Sequence, residues 1–165
     1  MAVNYTSWPT RKPNGGKASL EALCYSSAMN VLFVCRANVG RSQVAMAYYN
    51  KLYPGEAFSA GTIVKEANQR IKDRERAKNV IEIMRNEGLD IADNPRTQIT
   101  RDLANEAGHI ILMAEPDTVP DFLQNNNKVE IWSIEDPASM DLAGTKRIAN
   151  LIQERVVDLG IRLHS

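Results

Sequence analysis

Cys35 is followed by Arg36, Ala37, Asn38, Val39 and Gly40, and then by Arg41 and Ser42. Five residues between a thiol and a guanidinium let backbone N–H groups curl around one tetrahedral anion. If a helix opens at Arg41-Ser42, its unpaired N–H groups and positive dipole end add to that cradle. The same donors favour a thiolate at Cys35. Arg41 can grip two phosphate oxygens through its planar fork, which a lysine cannot do. An ionised sulfur beneath a bound phosphoryl group is poised for in-line attack, giving a phosphocysteine intermediate. Expulsion of an alcohol or phenol then needs a proton donor, and the same group can later serve as base toward water. Asp136, stiffened by Pro137, is the first candidate, with Asp141 and Glu135 ranked behind it.

These residues can meet only if the chain places them on one rim. Residues 31–34 form a continuous apolar run, as expected of a parallel strand covered on both faces. Further strands are expected at residues 57–60, 109–113 and 128–133. Helices are expected at 43–52, 73–87, 100–107 and 145–159, with one or two helical turns within 116–124. The 73–87 segment repeats Ala77, Val80, Ile81 and Met84 at helical spacing and stops at Gly88. This alternation predicts a single-domain α/β fold with about four parallel strands and helices on both faces. Ligands of such sheets sit at the carboxyl ends of the strands. Cys35 follows the first strand and Asp136 the last, so both fall on that rim.

Bulk properties narrow the function. The 165 residues suit one domain, with 44% apolar and 24% charged residues. Lys+Arg and Asp+Glu balance at 20 each, so no net field favours nucleic acid or an anionic membrane. Two cysteines and two separated histidines, His109 and His164, give neither a disulfide framework nor a metal-ligand cluster. No metal and no cofactor are expected. No apolar run reaches membrane-span length, and the first thirty residues lack a signal-peptide core, so the cytoplasm is the expected compartment. Residues 1–29 read as a tail broken by Pro9, Pro13, Gly15 and Gly16, with a short helical pattern at 19–28. The domain proper is expected over 30–165. The sequon at Asn4-Tyr5-Thr6 is not expected to be used.

In this combination the sequence resembles the low-molecular-weight protein tyrosine phosphatase family, which includes a class of arsenate reductases. The resemblance is carried by Val31-Leu32-Phe33-Val34-Cys35, by Asn38, Arg41 and Ser42, by Ser59-Ala60-Gly61-Thr62 and by Glu135-Asp136-Pro137. It extends over residues 30–163. It implies Cys35 as nucleophile, Arg41 as phosphate clamp and Asp136 as general acid. It implies that the backbone of Arg36, Ala37, Asn38, Val39, Gly40, Arg41 and Ser42 binds the substrate phosphate. Asn38, Ser42 and Ser59 would form the network that holds the loop open, with the Ser42 hydroxyl helping the thiolate leave.

Five departures qualify the resemblance. Ala37 stands where the family usually has Gly, and a positive φ there would cost a non-Gly residue about 1 kcal/mol. Gly40 replaces the usual second cysteine, removing reversible disulfide protection. Gln43 stands where tyrosine phosphatases have Pro, and Arg-Ser-Gln is more familiar among the arsenate reductases. Ala138 stands where phosphatases that grip a phenyl ring place a tyrosine. Asp93 or Asn94 occupies the place of a frequent His.

A thioredoxin-coupled reductase needs further cysteines downstream, and none follows Cys35. A reductase using one cysteine and an external thiol is compatible with the count. Cys24 could resolve Cys35 only if the tail folded over the site. Val39 fits tyrosine phosphatases better than relatives acting on phosphoarginine. The first expectation is therefore phosphomonoester hydrolysis, acting on a phosphorylated protein or a small aryl phosphate. A single-cysteine arsenate reductase and a catalytically weak phosphate-binding module are the alternatives. Tyr48, Tyr49 and Trp132 are expected in packing rather than in substrate contact.

Overall fold

A computed structural model of the chain describes residues 30–66 and 69–165; the tail with its sequon, its helical pattern and Cys24 lies outside them. Strand β1 (Val31–Cys35) leads into helix α1 (Arg41–Leu52), and β2 (Ala57–Gly61) follows. Two 3-10 turns (Ile71–Asp73 and Glu75–Ala77) precede α2 (Lys78–Asn86). Next come α3 (Arg101–Glu106), β3 (His109–Leu112), a 3-10 turn (Pro116–Thr118) and β4 (Val129–Ile131). A last 3-10 turn (Pro137–Ser139) leads to α4 (Leu142–His164).

The four strands form one parallel sheet, as the alternating pattern predicts, and their order is β2-β1-β3-β4. Every residue of β1 is buried, which explains its unbroken apolar run. Its side chains alternate between two cores. Val31, Phe33 and Cys35 face the layer of α1, α2 and α4, packing with Val44, Tyr49, Met84, Trp132 and Ile152. Leu32 and Val34 face the smaller layer of α3, with Phe58, Ile99, Ala104 and Ile110. Tyr48, Tyr49 and Trp132 are all buried in the larger core, as expected.

Two helices differ in extent from the sequence pattern. The expected helix at 73–87 begins only at Lys78. The Asp73 carboxylate accepts a hydrogen bond from the Arg70 backbone N–H at 2.9 Å, closing a separate turn, and Arg74 is extended with φ −99° and ψ 115°. That local bond competes with helix for the same backbone. Gly88, at φ +76°, ends α2 in the left-handed conformation its position requires. Helix α4 is longer than expected at both ends, starting at Leu142 rather than Thr145 and running to His164 rather than Leu159. Asp141 caps it, accepting from the Gly144 N–H at 2.7 Å.

Candidate active site

The strand order brings the carboxyl ends of β1, β3 and β4 side by side. Cys35 closes β1 and is buried, and the chain turns at once into the loop that enters α1. No side chain caps the amino end of α1, and its first turn holds no acidic residue. Its leading N–H groups are therefore left for an external anion. Arg41 and Ser42 open the helix, so both belong to the loop and the first turn at once.

The strain expected at Ala37 falls elsewhere. The residue with positive φ is Asn38, at 52°, and Ala37 keeps an ordinary conformation. Asparagine tolerates that region better than most residues, so no glycine is needed one position earlier. Gly40 has a second use: a Cβ there would lie 3.3 Å from Pro137 Cγ. The absence of a side chain lets the Asp136-Pro137 loop sit directly against the anion loop.

The Asn38 side chain, fully buried, organises the loop. Its Oδ1 accepts from the Thr97 backbone N–H at 2.8 Å, and since that N–H can only donate, the amide orientation is fixed. Its Nδ2 then donates to Ser42 Oγ and to Ser59 Oγ, each at 2.9 Å. Ser42 Oγ lies 3.0 Å from Cys35 Sγ. With Asn38 donating to it, the Ser42 hydroxyl is free to donate its own hydrogen to the sulfur. Asn38, Ser42 and Ser59 thus meet as the resemblance implies, and their polarity runs one way, toward Cys35.

Arg41 is buried and has five N–H donors. Nη1 donates to the carbonyls of Met113 (2.7 Å) and Ile134 (3.1 Å), just beyond β3 and β4. Nη2 donates to Glu115 Oε1 at 2.8 Å. The lateral fork, Nε–H with the remaining Nη2–H, is what Arg41 has left for two oxygens of an anion. Asp136 is half-exposed, with Oδ2 3.5 Å from Arg41 Nη2 and Oδ1 accepting from the Ala138 N–H at 3.0 Å. Of the other acid candidates, Asp141 is engaged as the α4 cap and Glu135 is exposed.

Three contributors were not anticipated. Glu115 follows β3, and the rim rule that selected Asp136 would have selected it as well. Burial alone would raise its carboxyl, yet the bonds from its own backbone and Arg41, with the charges of Arg41 and Arg36, hold it below the usual range. Gln43, fully buried, donates to the carbonyl of Pro95 at 3.1 Å and to Asn38 Oδ1 at 3.3 Å, and accepts from Asn94 Nδ2 at 3.1 Å. That ties the loop to the 94–98 segment and gives Asn94, one of the two residues considered for the place of the usual His, a role in the tie. Arg96, also buried, donates through Nε to the Ala37 carbonyl at 3.0 Å. Nothing in sequence spacing marks the tie of Gln43 to Asn94 and Pro95, or of Arg96 to Ala37, since those partners lie dozens of residues away.

Among the described residues no group of three or more His, Cys, Asp or Glu could hold a metal ion, and no helix is long and apolar enough to cross a membrane. Residues 30–164 match the family described as "Low molecular weight phosphotyrosine protein phosphatase". An arsenate reductase of Brevibacillus brevis is 31% identical over 131 residues, covering 76% of this chain and 90% of that protein. The low molecular weight protein tyrosine phosphatase of T. tengcongensis superposes with a TM-score of 0.69 at 24% identity, covering 81% of this chain and 99% of that one. A Geobacillus stearothermophilus arginine phosphatase has the same fold, with a TM-score of 0.66 at 21% identity, over 82% of this chain and 93% of that one.

Proposed function

This chain belongs to the low molecular weight phosphotyrosine protein phosphatase family, and we propose that it hydrolyses phosphomonoesters through a phosphocysteine intermediate on Cys35. The observation that carries the reading is the Cys35 Sγ to Ser42 Oγ contact of 3.0 Å, at the root of a loop whose mouth is crossed by Arg41 and Asp136. The thiolate attacks phosphorus, and the bond to the ester oxygen breaks as protonated Asp136 gives that oxygen its proton. The Arg41 fork and the N–H groups from Arg36 to Ser42 balance the charge on the equatorial oxygens. In the second half Asp136 takes a proton from water, the water oxygen attacks phosphorus, and the P–S bond breaks. The Ser42 hydroxyl then stabilises the departing thiolate. The substrate class is a phosphorylated protein or a small aryl phosphate, with no cofactor, metal or nucleic acid involved.

A second reading is favoured by the arsenate reductase relative and by Arg41-Ser42-Gln43. The Cys35 thiolate would attack arsenic as one As–O bond breaks and that oxygen leaves, protonated, as water, and an external thiol would then attack the Cys35 sulfur. Arsenite leaves with the As–S electron pair, and a second thiol then reduces the mixed disulfide. Both readings predict anion binding, and turnover separates them. p-Nitrophenyl phosphate should be hydrolysed by the wild type, at least a hundredfold more slowly by Asp136→Asn, and not at all by Cys35→Ser, which should still bind phosphate. A wild type that leaves p-nitrophenyl phosphate intact yet consumes arsenate with glutathione overturns the first reading in favour of the second. Phosphate binding without either reaction leaves only the binding module.

A further inference from the structure

The charges around the loop do not balance through Arg41. Its guanidinium is already met by Glu115 at 2.8 Å and Asp136 at 3.5 Å, two carboxylates for one cation. Glu115 alone offsets the charge of Arg41, so a thiolate and a phosphate find no net positive charge there even with Asp136 protonated. Arg36 at the rim is exposed and screened by water.

Arg96 has the opposite condition. It is 6% exposed and bonds to neutral acceptors, the Ala37 carbonyl through Nε at 3.0 Å and Gln69 Oε1 through Nη1. No carboxylate forms an ion pair with it among the described residues. Burial and the like charge of Arg74 both weaken its hold on a proton, while Glu66 and Cys35 oppose them. A buried, unpaired cation is costly unless something nearby uses it. Its bond to Ala37 also has a directional consequence. The Ala37–Asn38 peptide is planar and trans, so fixing the Ala37 carbonyl outward on Arg96 fixes the direction of the Asn38 N–H in the same plane.

We propose that Arg96 is a positioning residue of the anion site, a second cation set behind the loop that orients the Ala37–Asn38 peptide and offsets the negative charge of the thiolate and bound oxyanion. This rests on Cys35 and its loop being the reacting site, as proposed above. Its test therefore avoids turnover. Alkylation of Cys35 by iodoacetamide at mildly acidic pH reports the thiolate, and titration with inorganic phosphate reports the cradle. Arg96→Gln removes the charge but leaves a donor for the Ala37 carbonyl, whereas Arg96→Lys keeps the charge and loses the fork.

Arg96→Gln is expected to slow alkylation and weaken phosphate binding by about tenfold each, while Arg96→Lys stays within about threefold of wild type. A folded Arg96→Gln with wild-type alkylation and phosphate affinity overturns the proposal, as does a lysine variant as impaired as the glutamine one. If the glutamine variant does not fold, the lysine variant decides alone. Near-wild-type alkylation supports the charge role, and a tenfold loss overturns it. Loss of alkylation and binding in a chain with no hydrolytic activity would refute the proposed reaction while leaving the role of Arg96 intact.

Discussion

Replacing Asn38 separates the two costs that the loop places on one residue. The side chain is fully buried and makes four hydrogen bonds, to Ser42 Oγ, Ser59 Oγ, the Thr97 N–H and Gln43 Nε2, at 2.9, 2.9, 2.8 and 3.3 Å. The backbone at φ 52° adds a conformational cost that Ala bears more heavily than Asn. In Asn38→Ala the Thr97 N–H loses its acceptor and two hydroxyls lose a donor, for about 2–3 kcal/mol, and the backbone adds about 1 kcal/mol. Asn38→Gly loses the same bonds without that backbone cost, although glycine's freer unfolded chain returns part of the gain. Glycine should therefore be the more stable of the two by roughly 0.5–1 kcal/mol. For a chain of this size the alanine variant should melt about 6–16 °C below wild type, with the glycine variant a few degrees higher. Both should lose turnover at least tenfold, because Ser42 no longer has a fixed orientation toward the sulfur. Urea and thermal unfolding with p-nitrophenyl phosphate kinetics would read all three quantities. A glycine variant no more stable than the alanine one refutes the backbone reasoning. Two variants within about 0.5 kcal/mol of wild type refute the network.

Further outcomes follow from single contacts. A Cβ at Gly61 would lie 2.8 Å from both Arg36 O and Asn38 N, backbone atoms that cannot step aside; Gly61→Ala should cost about 2–3 kcal/mol in urea unfolding and weaken phosphate binding. Asp141→Ala should cost about 1 kcal/mol through loss of the α4 cap, and a collapse of turnover instead would return Asp141 to candidacy as the acid. Because the Glu115 carboxyl is held below its usual range, its share of stability is present above that range and lost as pH falls through the lowered value. Glu115→Gln should accordingly be less stable near neutrality and show a shallower loss in acid, read by thermal melts across pH.

The sheet and the rim that carries the candidate site were legible because they depend on local pattern. The β1 run, the Cys35 loop and Asp136 each announce themselves within a few residues, and parallel-sheet topology does the rest. What was not legible depends on pairs distant in sequence. Arg96 carries no mark in the sequence, and only the fold lays residues 94–98 behind the loop. Gln43 looks like a family marker until its amide is seen bonded to Pro95 and Asn94. The start of α2 was misplaced because Asp73 spends its carboxylate on Arg70, a choice that periodicity does not encode. Ala37 raised an expectation of strain that the structure moves one residue on, since a family glycine marks where strain can occur and not where it must.

Arg41 is oriented by carbonyls beyond β3 and β4, and Asp136 lies five residues past the end of β4. Yet β4 is a three-residue edge strand that, among the described residues, pairs only with β3, a weak anchor for the proposed general acid. Its ties to α4 are of unequal value. The Glu130–Arg162 ion pair at 3.0 Å joins exposed or half-exposed side chains, where such pairs contribute little. Trp132 is different: it is buried against Phe33 at 6.0 Å between ring centroids, and Arg155 of α4 lies over its ring at 5.8 Å. Burial of so large a side chain outweighs any exposed pair. The indole thus holds the segment between β4 and Asp136 to the strand that carries Cys35, so the proposed nucleophile and the proposed acid are fixed to one another through the core rather than across the open mouth.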